Sequence, residues 1–343
     1  MSSFFTYLGR RLFASIGVLI GVSILIFVIA RVIPGDPARI ALGPMASQES
    51  VANLRAELYL DRPLPLQYLE FVRRLSQGDL GMSLYTRRPV TTDLAEFFPA
   101  TLELVIAGGL LMVLLGLPLG VLAARYRNLW PDNVARVVAI LGVVTPNFVW
   151  AIFLVLLFAY WVAVLPVAGQ QGDTFLLPPR TTGFLILDSM LVGQWATFWD
   201  ALRHLILPAA ALAFSGIGQT ARLTRANMLD SYGKPYIEMA RAFGLSEMQI
   251  ATKYALRPAM IPTLTILGLD FAAMLGGAFL IEAVFNWPGM AKYAVQAILR
   301  KDLNAIVGTT LVVAVFFLIV NIIVDLIVGY VNPRIRFREE ARG

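Results

Sequence analysis

Runs of about 20 apolar residues set the first constraint on this chain, because that is the length a helix needs to cross the hydrocarbon core of a bilayer. Six such runs stand out in 343 residues: roughly Leu12 to Ile33, Ala100 to Ala123, Val137 to Trp161, Ala201 to Ala221, Ile261 to Phe285 and Val307 to Tyr330. A water-soluble globule would need a polar shell to cover them, and soluble chains usually carry about 25% charged residues. Here 15% is charged against 58% hydrophobic, and the mean hydropathy is +0.72. In lipid, every backbone polar group must be satisfied within the chain, and helices of this length do that. The sequence therefore predicts an all-α polytopic membrane protein with six transmembrane helices.

The first run follows Arg10 and Arg11 and so resembles a signal peptide, but it exceeds the usual apolar length and no small-residue cleavage site follows Ile33. It reads as a retained anchor. The fourth run is the weakest, interrupted by Arg203, His204, Pro208, Gly216 and Gly218. Charge placement supports keeping it. With six spans, the N-terminus, the turn from Arg125 to Arg136, the segment from Thr220 to Met260 and the C-terminal tail share one side, and they hold more than half of the 28 Lys and Arg. Their basic density is about twice that of the other side, which marks the cytoplasm. Both termini are then cytoplasmic. The net charge of +6 and pI near 9.7 follow from those loops, and no nucleic-acid partner is implied. Membrane lipid is the implied surroundings. Small-residue pairs Gly17/Gly21 and Gly116/Gly120 predict close helix approach, and Pro118 predicts a kink.

With no cysteine and one histidine, the chain has no thiolate chemistry and no basis for a histidine metal cluster. No Gly-x-x-x-x-Gly-Lys-Ser/Thr phosphate loop is present, so the chain cannot bind ATP in that way. His204 is placed at an outer interface, with no metal role.

Two connecting segments are too long to be plain linkers. The cytoplasmic stretch between the fourth and fifth spans, within residues 222–260, opens a short helix at Pro235 and stops it at Gly244. Ser246 with Gln249 then forms a capping-box pattern for a second helix, which Pro258 and Pro262 should end or kink. On the first helix Tyr236, Met239, Ala240 and Phe243 recur at helical spacing, an apolar face that must pack on its own helix ends or on another protein. The external stretch 34–99 carries Val51, Leu54 and Leu58 on a modest amphipathic helix, with Ser47 and Ser50 as candidate caps, and a similar pattern from Leu66 to Leu75. It reads as a small external subdomain near the mouth of a pathway.

These segments carry a resemblance. Glu238, Ala240 and Gly244 are similar to the E-A-A-x-x-x-G core of the cytoplasmic loop in permease subunits of binding-protein-dependent ABC importers, with Met239 in place of the first alanine. Ile33-Pro34-Gly35-Asp36-Pro37, Gly78-Asp79-Leu80-Gly81, Thr101-Leu102-Glu103-Leu104, Phe285-Asn286-Trp287-Pro288-Gly289 and Val331-Asn332-Pro333-Arg334-Ile335-Arg336 resemble the dipeptide, oligopeptide and nickel branch, specifically its first permease. The resemblance implies a type I ABC importer permease fold. It also implies a homologous second permease, two ATP-binding subunits that use ATP and Mg, and an extracytoplasmic substrate-binding protein. This chain itself would bind no cofactor and catalyse no reaction. The loop residues Tyr236, Glu238, Met239, Ala240, Arg241, Phe243 and Gly244 would form the coupling helix that seats on an ATPase. The implied organisation is an anchor (1–33), the external subdomain (34–99), the permease core (100–336) and a cytoplasmic tail (337–343). Peptide is the expected cargo, with nickel and glutathione carriers sharing the motifs.

Four acids fall within or at the ends of spans: Glu103, Asp270, Glu282 and Asp325. Acids at membrane depth face cavities or basic partners. Asp270, in mid-span with Gly268, Gly276 and Gly277 nearby, is the leading candidate for the translocation path, followed by Glu282 and Glu103; Asp325 reads as a structural pair with an arginine. The competing class is an ion-coupled secondary transporter using Asp270 or Glu282 as its proton site, but that class usually carries internal repeats, and none is evident.

Overall fold

The computed structural model describes residues 2–32, 37–43, 45–57 and 59–331. The described residues are helical almost throughout. α1 (Ser2–Val32), α2 (Pro37–Leu42), α3 (Gln48–Glu57) and α4 (Leu64–Ser76) precede the long α5 (Val90–Arg125). α6 (Trp130–Val144) and α7 (Asn147–Val155) follow, α7 widening into a π-turn over Leu156–Trp161. After α8 (Leu185–Leu191) come α9 (Trp195–Tyr232), α10 (Pro235–Ala242), α11 (Glu247–Gln249), a second π-turn at Ile250–Ala255, α12 (Leu256–Val284), α13 (Met290–Leu299) and α14 (Leu303–Val331). The first and last family-like motifs fall largely on 33–36 and 332–336, outside the described residues, as do the tail and Leu58.

Four helical stretches among the described residues are long and apolar enough to cross a membrane: Val90–Arg125, Trp195–Tyr232, Glu247–Val284 and Leu303–Tyr330. Counting the bent pair α6 and α7 as one span makes five, and α1 contributes a shorter apolar stretch, Phe13–Ile29. The bend is the main departure from the expected single span at Val137 to Trp161. α6 and α7 meet at 106°. Pro146 causes it: its ring disfavours the helical conformation in the preceding residue, and Thr145 is extended at φ −91°, ψ 123°. Pro118, Pro208 and Pro262 instead lie inside continuous helices. Pro258, expected to end or kink a helix, is accommodated three residues after the wider turn at Ile250–Ala255.

The chain divides into two compact units, one built on Phe98–Lys292 with the chain from Phe316, the other on Leu8–Phe97 with Tyr293–Val315. In the first, α9 is central. Two-thirds of its apolar window is buried, which is why the least apolar span can still be a full 38-residue helix: its polar interruptions meet protein rather than lipid. Gly116 and Gly120 of α5 sit so close to α9 that an added Cβ would lie 2.7 Å from the Thr220 Cβ and 2.5 Å from the Thr224 Cβ. This is the close approach that the pair predicts. Gly17 and Gly21 have open space beside them.

In the second unit, Ile26, Val307 and Leu311 form a core joined by Val22, Phe71, Leu75 and Leu80. Leu80 is delivered by the Gly78-Asp79-Leu80-Gly81 turn, in which the Gly81 amide donates to Asp79 Oδ1 at 2.8 Å and both glycines have positive φ. Buried Asp302 accepts from Ser83 Oγ at 2.6 Å and from the Tyr85 amide at 3.1 Å. Ser47 caps α3 as expected, its Oγ accepting from the Ser50 amide at 3.1 Å, and Val51 is buried; the Leu54 side chain lies outside the described ones.

Candidate functional site

The helix-glycine-helix loop forms as its residues dictate. Lys234 is extended, and Pro235 occupies the first position of α10, where its missing amide costs nothing. At the other end Gly244 takes φ +75°. Its amide donates to the Arg241 carbonyl at 2.9 Å and the Leu245 amide to the Ala240 carbonyl at 3.2 Å, the paired bonds of a Schellman stop. Ser246 then opens α11 with a complete capping box: the Gln249 amide donates to Ser246 Oγ at 3.3 Å and the Ser246 amide to Gln249 Oε1 at 3.1 Å. Arg241 donates to Glu247 at 2.8 Å across the turn.

α10 turns two different sides to its surroundings. Ile237 and Ala240 are buried in a cluster with Ala124, Met228, Ile250, Ala251, Ala255 and Ala259, and Leu245 packs against it. Tyr236, Met239 and Phe243 are 40%, 61% and 78% exposed. Glu238 and Arg241 are exposed beside them. This corrects the expected face in one position: Ala240 sits on its inner edge and belongs to the anchor, while Tyr236, Met239 and Phe243 point outward. Tyr236, Met239 and Phe243, at i, i+3 and i+7, thus form an apolar side exposed among the described residues, on a helix fixed from behind.

At the base of the loop is a clamp that motif reading missed. The fully buried Asp132 carboxylate receives Arg225 Nε at 2.6 Å and Nη2 at 2.9 Å, Arg136 Nη2 at 2.6 Å and the Asn128 amide at 2.9 Å. Arg225 lies on α9, about two turns before that helix ends at Tyr232. A sequence signal existed, since Asp132 and Arg136 are an i,i+4 pair; the arginine 93 residues away gave none.

The acids within spans occupy different settings. Asp270 accepts from Gln219 of α9 at 3.1 Å through Oδ1, while its buried Oδ2 has no hydrogen-bond partner among the described residues. Of its nearby glycines, Gly268 is packed on Val324, Gly277 lies against Leu212 and Gly276 faces open space. Glu282 is fully buried. It accepts from Thr101 Oγ1 at 2.5 Å and from the Lys292 amide at 2.9 Å, and Gly289 packs so closely on it that no Cβ would fit. Thr101 in turn accepts from the Met290 amide at 2.7 Å, and Trp287 donates to the Ala100 carbonyl at 2.9 Å. Two of the family-like motifs thus close on each other. Glu103 accepts from Gln170 at 2.6 Å and from the Ile186 amide at 2.9 Å, tying the segment at Gln170 and the start of α8 to α5. Asp325 is half-buried on α14. His204 is buried, its Nδ1 2.9 Å from the Asp200 carbonyl.

Several long apolar helices, and a capped loop that holds one short helix with its apolar side outward, define the membrane subunit of a transport system. The family described as "Binding-protein-dependent transport system inner membrane component" matches residues 116–337, and the one described as "Binding-prot-dependent transport system membrane comp, N-term" matches residues 4–105. The chain belongs to this family of ABC importer permeases and is a multi-pass protein of the inner membrane. It is 43% identical to the probable D,D-dipeptide transport system permease protein of Escherichia coli strain K12, over 97% of this chain and 98% of that protein. It is 39% identical to the dipeptide transport system permease protein of the same strain, over 96% and 98%. Its identity with the glutathione transport system permease protein of Salmonella choleraesuis strain SC-B67 is 34%, over 97% and 99%.

Proposed function

We propose that this chain forms half of the translocation pathway of a dipeptide or oligopeptide importer. A second, homologous permease forms the other half, an extracytoplasmic binding protein delivers the peptide, and two separate subunits hydrolyse ATP with Mg. In this reading α1 and the bent α6–α7 pair each count as one span, giving six with both termini in the cytoplasm. The observation that carries it is the division of labour on α10: Ile237 and Ala240 fix the helix to the permease, and Tyr236, Met239 and Phe243 are left for the ATPase.

A transporter shifts the equilibrium between inward- and outward-open states, and nucleotide can bias it only through a link that responds differently in the two. The rigid link is α10, held at one end by the Schellman stop and at the other by α9, whose position Asp132 and Arg225 fix. Asp270, with one oxygen unpartnered, is the acid offered to the pathway; Glu282 and Glu103, with both oxygens engaged, hold its walls. Dipeptide cargo follows from the relatives with the higher identities, and the binding protein sets the choice among peptides. The test is uptake by proteoliposomes containing this chain with its companion permease, ATPases and binding protein. ATP-dependent accumulation of dipeptide that ceases when the ATPases are omitted is the expected result; accumulation without them refutes the reading.

A further inference from the structure

Helix α4 is apolar on two sides, and its own chain covers one of them. Its inner side packs against α1: the Tyr68 ring lies edge-on to Phe27 at 5.4 Å, Phe71 is 5.9 Å from the same ring, and the Tyr68 hydroxyl is 2.8 Å from Ser23 Oγ. Ile26, Val307 and Leu311 close that contact with Phe71 and Leu75. On the outer side Leu66, Leu69 and Val72, at i, i+3 and i+6, are 48%, 62% and 37% exposed.

The level of the inner contact identifies what meets the outer stripe. Ser23 lies six residues inside Ile29, where the apolar stretch of α1 ends, so Tyr68 reaches about 9 Å below that boundary at 1.5 Å per residue. At the same level α1 exposes Ile24, Leu25 and Val28. If these face acyl chains, leucines on a helix packed beside them share that solvent. We propose that α4 is an interfacial membrane helix, with Leu66, Leu69 and Val72 seated among the acyl chains of the leaflet at the Ile29 end of α1. The immersion matches the roughly 5–10 Å usual for such helices. Arg73, exposed on the same outer side and paired with Glu70 at 2.8 Å, has the long stem needed to carry its guanidinium to the phosphate level. The Gly78-Asp79-Leu80-Gly81 turn that follows, whose Leu80 joins the same core as Ile26, is thereby held at a fixed level relative to the bilayer. This inference rests on α1 being a membrane span, as in the function proposed above.

The chain lacks cysteine, so single cysteines can be placed at Leu25, Leu69 and Glu49 and labelled with an environment-sensitive fluorophore in the complete complex in nanodiscs. Quenching by spin-labelled lipid at Leu69 to a degree comparable with Leu25, and weak quenching there by aqueous iodide relative to Glu49, is the expected result. Iodide quenching at Leu69 without lipid quenching overturns the proposal. So does protection from both quenchers, which would mean that protein covers the stripe. Failure of lipid quenching at Leu25 itself removes the span reading on which the proposal stands, and so separates that failure from one confined to α4.

Discussion

Arg225 grips Asp132 with two parallel hydrogen bonds, 2.6 Å and 2.9 Å long, and the carboxylate it holds is fully buried. Bidentate pairing of this kind fixes geometry as well as charge. It joins α6 to the part of α9 that leads into α10, so it sets where α10 stands. Replacing Asp132 with Ala leaves two guanidinium groups facing each other. The expected loss is about 2 kcal/mol, less than for a wholly buried pair because both arginines are partly exposed. Thermal unfolding of the purified complex measures it. Arg225→Lys, which keeps the charge but not the fork, should lower the ratio of peptide taken up to ATP hydrolysed while leaving assembly intact.

Gly244 has no neighbour within 4 Å of an added Cβ, so its requirement is backbone conformation, not space. At φ +75° a β-branched residue is strained by roughly 1–2 kcal/mol. Gly244→Val should reduce peptide uptake and substrate-stimulated ATP hydrolysis with membrane insertion unchanged, and Gly244→Asn, which tolerates the left-handed region, should retain most of both. Equal loss in the two variants would point to a contact instead.

Asp270 and Gln219 give a different pair of outcomes. Asp270→Asn keeps the size of the side chain and its bond to Gln219 while removing the charge, so uptake should fall in proteoliposomes while the assembled complex is recovered in normal yield. Glu282→Gln should do the reverse, lowering recovery, because Glu282 accepts from Thr101 and the Lys292 amide in a fully buried setting. A parallel loss of yield for Asp270→Asn would make that acid structural.

Asp188 supplies the pH dependence. Burial pushes its carboxyl upward, but the Thr182 amide and hydroxyl and the Gly183 and Thr181 amides donate to it and outweigh burial, so it lies below the ordinary value. A depressed folded-state value stabilises the loop above the unfolded carboxyl value of about 3.9. That contribution fades as pH falls below about 4 toward the folded-state value. Hydrogen exchange of the segment around Thr181 should accelerate over this window in the native protein, and Asp188→Asn should flatten the dependence.

Local signals carried much of the fold. Pro235, Gly244 and the Ser246–Gln249 pair act on their own neighbours, so the loop's start, stop and restart were legible. The small-residue pair Gly116/Gly120 foretold a close approach without naming α9 as the partner. What the sequence hid was non-local. Nothing near Thr101 announces Glu282, 181 residues away, nor does Asp132 announce Arg225. α9 looked weak because hydropathy measures suitability for lipid, and α9 faces protein. The bend at Pro146 was missed because the apolar run continues through it. Ala240 was placed on the outer face because it is apolar at the right spacing, yet its small side chain is what lets α10 press against the Ile250–Ala255 turn.

The central claim is that the outward side of α10 is held by an ATP-hydrolysing subunit of another chain. A photo-crosslinking residue at Met239, which is 61% exposed, with one at fully buried Ile237 as the control, tests it in the assembled complex. The account predicts an adduct between Met239 and an ATP-binding subunit, and none from Ile237. Crosslinking from Met239 solely within this chain or to the companion permease would contradict it.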